Sequence, residues 1–295
     1  MSKKDKYFFA LSVYAVILIV LLLYGFPILR IAISSFFSQS HPGADWRYVG
    51  LTNYISSILD PKLWQALLAS VVFTLLSVSS QVTIALLAAL VTYRTYRGVE
   101  TLRWLFILPY FFSTVVVVIA WNFFTDPIVG LATQTLKSVH LPFVDFRSPS
   151  FSLPAMVVVS AYEAFPFCYA VFLARLLQIP KTLYVVAELD GASAWKGFTT
   201  ITWPQIRLSL LGIVLLRIII TALKFDVPWL VYAYRAESKW SDTFAVWLYR
   251  TAFEQLNGGK AFASTLTFLI ALAGLVYLFV TLRHIKLRAS TAIRR

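Results

Sequence analysis

Four ionisable side chains lie inside long apolar stretches of this 295-residue sequence: Glu163, Arg217, Lys224 and Asp226. A charge in hydrocarbon is costly, so such groups either pair with one another or handle a polar solute. An ion pair between helices and direct contact with a solute are both open readings. Lys224 and Asp226 are two positions apart, a spacing at which side chains on one helix do not face each other. Asp226 is therefore expected to meet Arg217 or another chain.

Other chemistry finds no support. His41, His140 and His284 are scattered, with no metal-ligand spacing and no Ser/His/Asp arrangement around them. Cys168, the single cysteine, cannot form an intramolecular disulfide and reads as a small buried filler. Gly258-Gly259-Lys260-Ala261 lacks both the spacing and the hydroxyl of a phosphate-binding Gly-x-x-x-x-Gly-Lys-Ser/Thr loop. No catalytic residue, metal ligand or bound cofactor is expected in this chain.

The elements that hold the four charges follow from composition. Hydrophobic residues make up 59% of the chain and charged residues 13%, where a soluble domain carries about 25%. The apolar residues form about six blocks near the roughly 20 residues needed to cross hydrocarbon as a helix. Their cores run over Tyr7 to Leu29, Trp64 to Val91, Trp104 to Phe124, Phe151 to Leu177, Leu208 to Leu230 and Phe262 to Leu282. The expectation is an all-α integral membrane protein of one domain over 1–295, with its core at 64–282 and a basic tail at 283–295.

The formal charge of +13 would suggest nucleic acid in a soluble protein. In a multi-span protein it reports the cytoplasmic excess of Lys and Arg. With both termini inside, the inner segments hold more of these residues than the outer ones, so both termini are expected in the cytoplasm. A lipid bilayer, not nucleic acid, is the expected partner.

The inner segment 178–208 is too structured in composition for a mere connector. Pro180 suits a first helical turn, and Leu183, Val186, Ala187 and Asp190 fall on one face. Gly191 is placed to end that helix in a left-handed conformation. Ser193 can cap a second short helix through Trp195 and Phe198. A cytoplasmic helix–turn–helix results, with small residues at its elbow and apolar ones behind. An amphipathic interfacial connector fits the periodicity equally well.

This segment resembles the conserved cytoplasmic loop, the EAA motif, of permease subunits of ABC importers. The agreement falls at Ile179-Pro180, Leu183, Ala187, Asp190, Gly191, Ala192, Phe198, Ile201 and Pro204. It departs at Val185 and Val186, where the family has Glu and Ala, and at Leu208, near which it has a second proline. Gly50-Leu51-Thr52-Asn53-Tyr54, Asp60-Pro61, Trp64, Leu108-Pro109-Tyr110, Trp121, Gly130, Phe225-Asp226, Thr243, Tyr249, Ala252-Phe253 and Gly259 extend the likeness over nearly the whole chain. Tyr234-Arg235-Ala236-Glu237 stands where the family usually has Thr-Gly-Gly-Pro. The set is similar to the carbohydrate-uptake permeases of the maltose and glycerol-phosphate type.

The resemblance implies a multi-pass subunit of a prokaryotic cell membrane, in the type I importer fold. It implies a second homologous permease chain, two ATPase subunits carrying ATP and Mg, and an extracytoplasmic solute-binding protein. Ala187, Glu188, Leu189, Asp190, Gly191 and Ala192 would form the coupling helix and elbow. Trp121, Tyr162, Glu163, Lys224, Asp226, Trp229 and Tyr232 are candidates for the substrate pathway, the aromatics by stacking on sugar rings. Aromatics this frequent also face lipid or the membrane interface. The alternatives are the same machine carrying glycerol phosphate, a polyamine or an anion, a six-span secondary carrier, and an inactive scaffold.

Overall fold

The computed structural model describes residues 3–38, 45–140, 148–234 and 238–292, with backbone alone for 3, 4, 6, 10, 232–234 and most positions beyond 274. α1 (Lys3–Val20) passes through a π-helical turn, Leu21–Gly25, into α2 (Phe26–Ser34). β1 (Phe37–Ser38) pairs antiparallel with β2 (Arg47–Tyr48). Then come α3 (Thr52–Ile58), α4 (Pro61–Thr92), α5 (Val99–Ile107), α6 (Thr114–Phe124), α7 (Leu131–Ser138), α8 (Ser152–Leu177) and α9 (Lys181–Leu189). α10 (Ala194–Gly197) runs through a second π-turn, Phe198–Thr202, into α11 (Trp203–Ala222). α12 (Asp226–Tyr234), α13 (Phe244–Tyr249) and α14 (Gly258–Ala292) complete the order.

Prolines account for the two π-helical turns at Leu21–Gly25 and Phe198–Thr202. Proline has no N–H to donate, and its ring crowds the carbonyl four residues back. Phe26 N–H instead bonds Leu21 five residues back, just before Pro27, and Trp203 bonds Phe198 just before Pro204. The wide turn opens the helix where the ring would crowd it.

Four helical stretches among the described residues are long and apolar enough to span a membrane: Tyr7–Ser34, Pro61–Thr92, Pro149–Leu177 and Ala194–Ala222. A fifth is available as the pair Val99–Phe111 and Thr114–Phe124, bent by 101°. The core expected over Trp104 to Phe124 thus lies in a bent pair of helices, with the bend just after Pro109. Pro109 opens a short 3-10 turn, Phe112 is extended, and Ser113 caps α6 by accepting from Val116 N–H. The fifth expected core, Leu208 to Leu230, is broken between Ala222 and Asp226. Pro228 would crowd the carbonyl of Lys224 in a continuous helix. The sixth, Phe262 to Leu282, lies within α14, where Gly258–Gly274 forms a shorter apolar helix.

Two compact units divide the chain, one of Met1–Leu63 with Trp247–Arg295 and one of Trp64–Val246. In the first, Asn53 Nδ2 donates to the carbonyls of Ser35 and Phe37 at 2.8 and 2.9 Å. The Tyr54 and Ser35 hydroxyls bond at 2.7 Å. A Cβ on Gly259 would overlap the Phe37 carbonyl and the Asn53 amide, so α14 starts against this knot only with glycine there. Ser264 donates to Ser57 at 2.9 Å, and Lys260 Nζ lies 2.6 Å from Asp60 Oδ2. The Gly-Leu-x-Asn-Tyr segment is therefore a structural clasp.

In the second unit α4, α8 and α11 share a core of Val78, Ala85, Ala89, Cys168, Phe172, Ile206 and Ile213. The alanines let helix backbones approach closely without a hydrophobic drive from lipid. Phe73, Val118, Met156, Val159, Val227 and Val231 form a second core where α6 and α12 join. Inside these helices the Thr92 and Tyr169 hydroxyls bond at 2.8 Å.

Candidate functional site

The segment after α8 builds the elbow that its residues suggest. α9 ends with Gly191 at φ 71°, in the left-handed region. Gly191 N–H donates to the Glu188 carbonyl at 3.0 Å and Ala192 N–H to Ala187 at 2.9 Å. These two bonds are a Schellman closure, which satisfies carbonyls that a helix end leaves open. Ser193 then accepts from Lys196 N–H at 3.3 Å and starts the next helix.

Two expectations change here. The second helix does not stop after Phe198 but continues to Ala222, so Phe198, Ile201 and Pro204 lie on the entry to a spanning helix. The apolar side chains of α9 face outward instead of packing behind the elbow. Leu183, Val185, Val186 and Leu189 are all exposed, Leu189 by 82%. The inward side is held by Tyr184, whose hydroxyl bonds Thr202 Oγ1 at 2.7 Å, and by half-buried Ala187. Glu188, Asp190 and Gly191 are exposed and Ala192 is half-buried.

A cavity of about 460 Å³ lies behind the elbow, lined by Tyr93, Arg94, Tyr184, Ala187, Glu188 and Phe198 among others. Arg94 Nε donates to the Tyr93 hydroxyl at 2.9 Å. That bond, with a smaller contribution from Glu188, holds the guanidinium above its ordinary pKa. Arg94 was not a sequence candidate, because its nearness to Glu188 is set by packing.

The second feature gathers three of the in-span charges. Lys224 Nζ lies 2.9 and 3.0 Å from Glu163 Oε1 and Oε2, and 3.7 Å from Asp226 Oδ1. Lys224 and Asp226 do meet, against expectation, because Lys224 lies in the break between α11 and α12 and Asp226 opens α12, so the two are not on one helix. Thr114, in the first turn after the α5–α6 bend, donates to Glu163 Oε1 at 2.9 Å. Two helix breaks and the middle of α8 thus converge on one polar cluster. Arg217 stands apart: its Nε donates to Gln81 Oε1 at 2.9 Å, and Gln81 donates to Ser160 of α8. The expected Arg217–Asp226 contact is absent among the described residues. Gln81 is a lone amide in an apolar run and gives no spacing signal in the sequence.

Trp121 and Tyr162 line an apolar cavity of about 450 Å³ with Phe112, Phe124, Val116 and Val158 among others. The Trp121 indole N–H is buried and has no partner among the described residues. Tyr162 precedes Glu163 on α8, and Phe112 and Thr114 flank the same bend, so cavity and cluster adjoin along the chain. Trp229 stacks on Phe225 with centroids 5.6 Å apart. The side chain of Tyr232 lies outside the described residues.

No family model matches the chain. Over 246 residues it is 31% identical to the inner membrane ABC transporter permease protein YcjO of Escherichia coli (strain K12), covering 81% of this chain and 80% of that one. It is 27% identical to the trehalose transport system permease protein SugA of Mycobacterium tuberculosis (strain ATCC 25618 / H37Rv), over 81% and 76% of the two chains. It is 25% identical to the sn-glycerol-3-phosphate transport system permease protein UgpA of Brucella abortus biovar 1 (strain 9-941), over 90% and 92%. A bacterial ABC transporter involved in import of the acidic polysaccharide alginate gives a TM-score of 0.81 at 21% identity, over 94% of this chain and 95% of that chain. The alginate transporter in complex with its alginate pentasaccharide-bound periplasmic protein gives 0.80. The fold is that of these solved transporter chains.

Proposed function

The chain belongs to the permease family of ABC transporters, and we propose that it carries carbohydrate inward, paired with a second homologous permease chain. Two ATPase subunits, which hold ATP and Mg, dock from the cytoplasm, where both termini also lie. An extracytoplasmic solute-binding protein delivers the cargo.

The observation that carries this reading is α9. Its apolar residues Leu183, Val186 and Leu189 face outward from a helix closed by Gly191. An exposed apolar helix face fits a hydrophobic groove on a partner. ATP-driven closure of the ATPase pair pushes α9 inward, and hydrolysis releases it, which biases two arrangements of the spans. Trp121, Tyr162, Glu163, Lys224, Asp226 and Trp229 serve the pathway. Ring faces and carboxylates together suit the apolar and hydroxyl faces of a sugar.

Co-purification with the ATPase subunits tests the docking. Leu189→Glu alters an exposed side chain and leaves the elbow bonds in place. Loss of the ATPase from this variant, with the permease still folded, is the expected result. Retention at the wild-type level would refute the assignment of α9.

A further inference from the structure

We infer that the carbohydrate passing Glu163, Lys224 and Asp226 is uncharged, and that this cluster turns anionic carbohydrates away. The inference rests on the pathway reading given above.

Two carboxylates share one ammonium, so the cluster carries a net negative charge. Lys224 is occupied on both sides, at 2.9 Å by Glu163 and 3.7 Å by Asp226. Its side chain is 11% exposed, against 22% for Glu163 and 44% for Asp226. The group most open to a solute is therefore a carboxylate. Asp226 Oδ1 accepts from Val227 N–H at 2.8 Å, which leaves Oδ2 for a solute hydroxyl. Arg217 presents no cation directly to a solute. It is 7% exposed, and its Nε is committed to Gln81.

A sugar hydroxyl donates to such a carboxylate, and a hydrogen bond with one charged partner is about twice as strong as a neutral one. A uronate, sulfonate or phosphate offers acceptors where acceptors already stand. At roughly 6 Å and an effective dielectric of about 20, one added like charge lowers occupancy about a hundredfold. The adjoining cavity, with Trp121, Tyr162, Phe112 and Phe124, supplies apolar ring faces and no cation.

Equilibrium dialysis on the purified permease–ATPase complex, without its binding protein, reads the pathway alone. Trehalose and maltotriose are each compared with their uronic-acid counterparts. Wild type is expected to favour the neutral sugar by tenfold or more. Asp226→Asn, which neutralises the cluster, should shrink that preference by about tenfold or more, and Lys224→Met should widen it. The inference is overturned if the acids bind as well as the neutral sugars, or if Asp226→Asn leaves the ratio unchanged. If neither class binds, the carbohydrate reading fails and this inference with it, while α9 docking is judged separately by ATPase co-purification.

Discussion

Gly191 permits a graded test of the elbow. Its φ of 71° is the left-handed conformation, and a Cβ built there meets nothing within 4 Å. Gly191→Ala therefore perturbs backbone energy and nothing else. The left-handed conformation costs an L-residue about 1 to 2 kcal/mol, a factor of roughly 5 to 30 in the population of the folded elbow. Asn visits that region more readily and should cost less. Proline fixes φ near −65° and removes the N–H that bonds Glu188 at 3.0 Å. Gly191→Pro should cost about 3 kcal/mol or more, over a hundredfold in ATPase affinity. Titration of labelled ATPase onto the permease in nanodiscs gives the Kd values. The expected order of weakening is Asn, then Ala, then Pro. Wild-type affinity in Gly191→Pro, or Asn weaker than Pro, would refute the link between elbow geometry and docking.

Lys224→Met leaves Glu163 and Asp226 without their cation. Removing one partner of a largely buried pair costs about 3 to 5 kcal/mol, so its unfolding temperature in nanodiscs should fall well below wild type. Glu163→Gln added to it should restore much of the loss; an unchanged single variant would show that the pair is not stabilising. Burial acts to raise the pKa of Asp60, but the bond from Lys260, the Lys62 N–H and both lysine charges outweigh it and hold the carboxyl below 3.8. The stability from this pair is thus present at neutral pH and lost as pH falls through that lowered value. Unfolding measured against pH should show an acid-dependent loss in wild type that Asp60→Asn lacks, and identical profiles would dismiss it.

Features set by neighbouring residues were the ones legible in the sequence. Gly191 and Ser193 act through bonds to residues within five positions, so their types and spacing suffice to place the elbow. Periodicity marks the apolar stripe of α9 without saying whether it meets this chain or another. Lys224 and Asp226 looked incompatible only under the assumption of a continuous helix. Pro228, four residues beyond Lys224, already carried the contrary signal. Asn53 stood out within a recognisable segment, yet its partners are carbonyls 16 and 18 positions away, and only the fold brings them to it. Arg217 and Gln81 are 136 positions apart, beyond the reach of any local pattern.

The uninterrupted run Ala194–Ala222 has a mechanical consequence. At 1.5 Å per residue these 29 residues form a rod about 43 Å long. Ser193 of the elbow is bonded to one end, and Lys224 follows the other by two residues. Under the docking proposed above, work done on the elbow would reach the charged cluster along this single covalent lever, whereas the neighbouring helices would receive it only through side-chain contacts. The compliance of that lever, set chiefly at its one wide turn over Phe198–Thr202, would then limit how much of a displacement at the elbow arrives at the cluster.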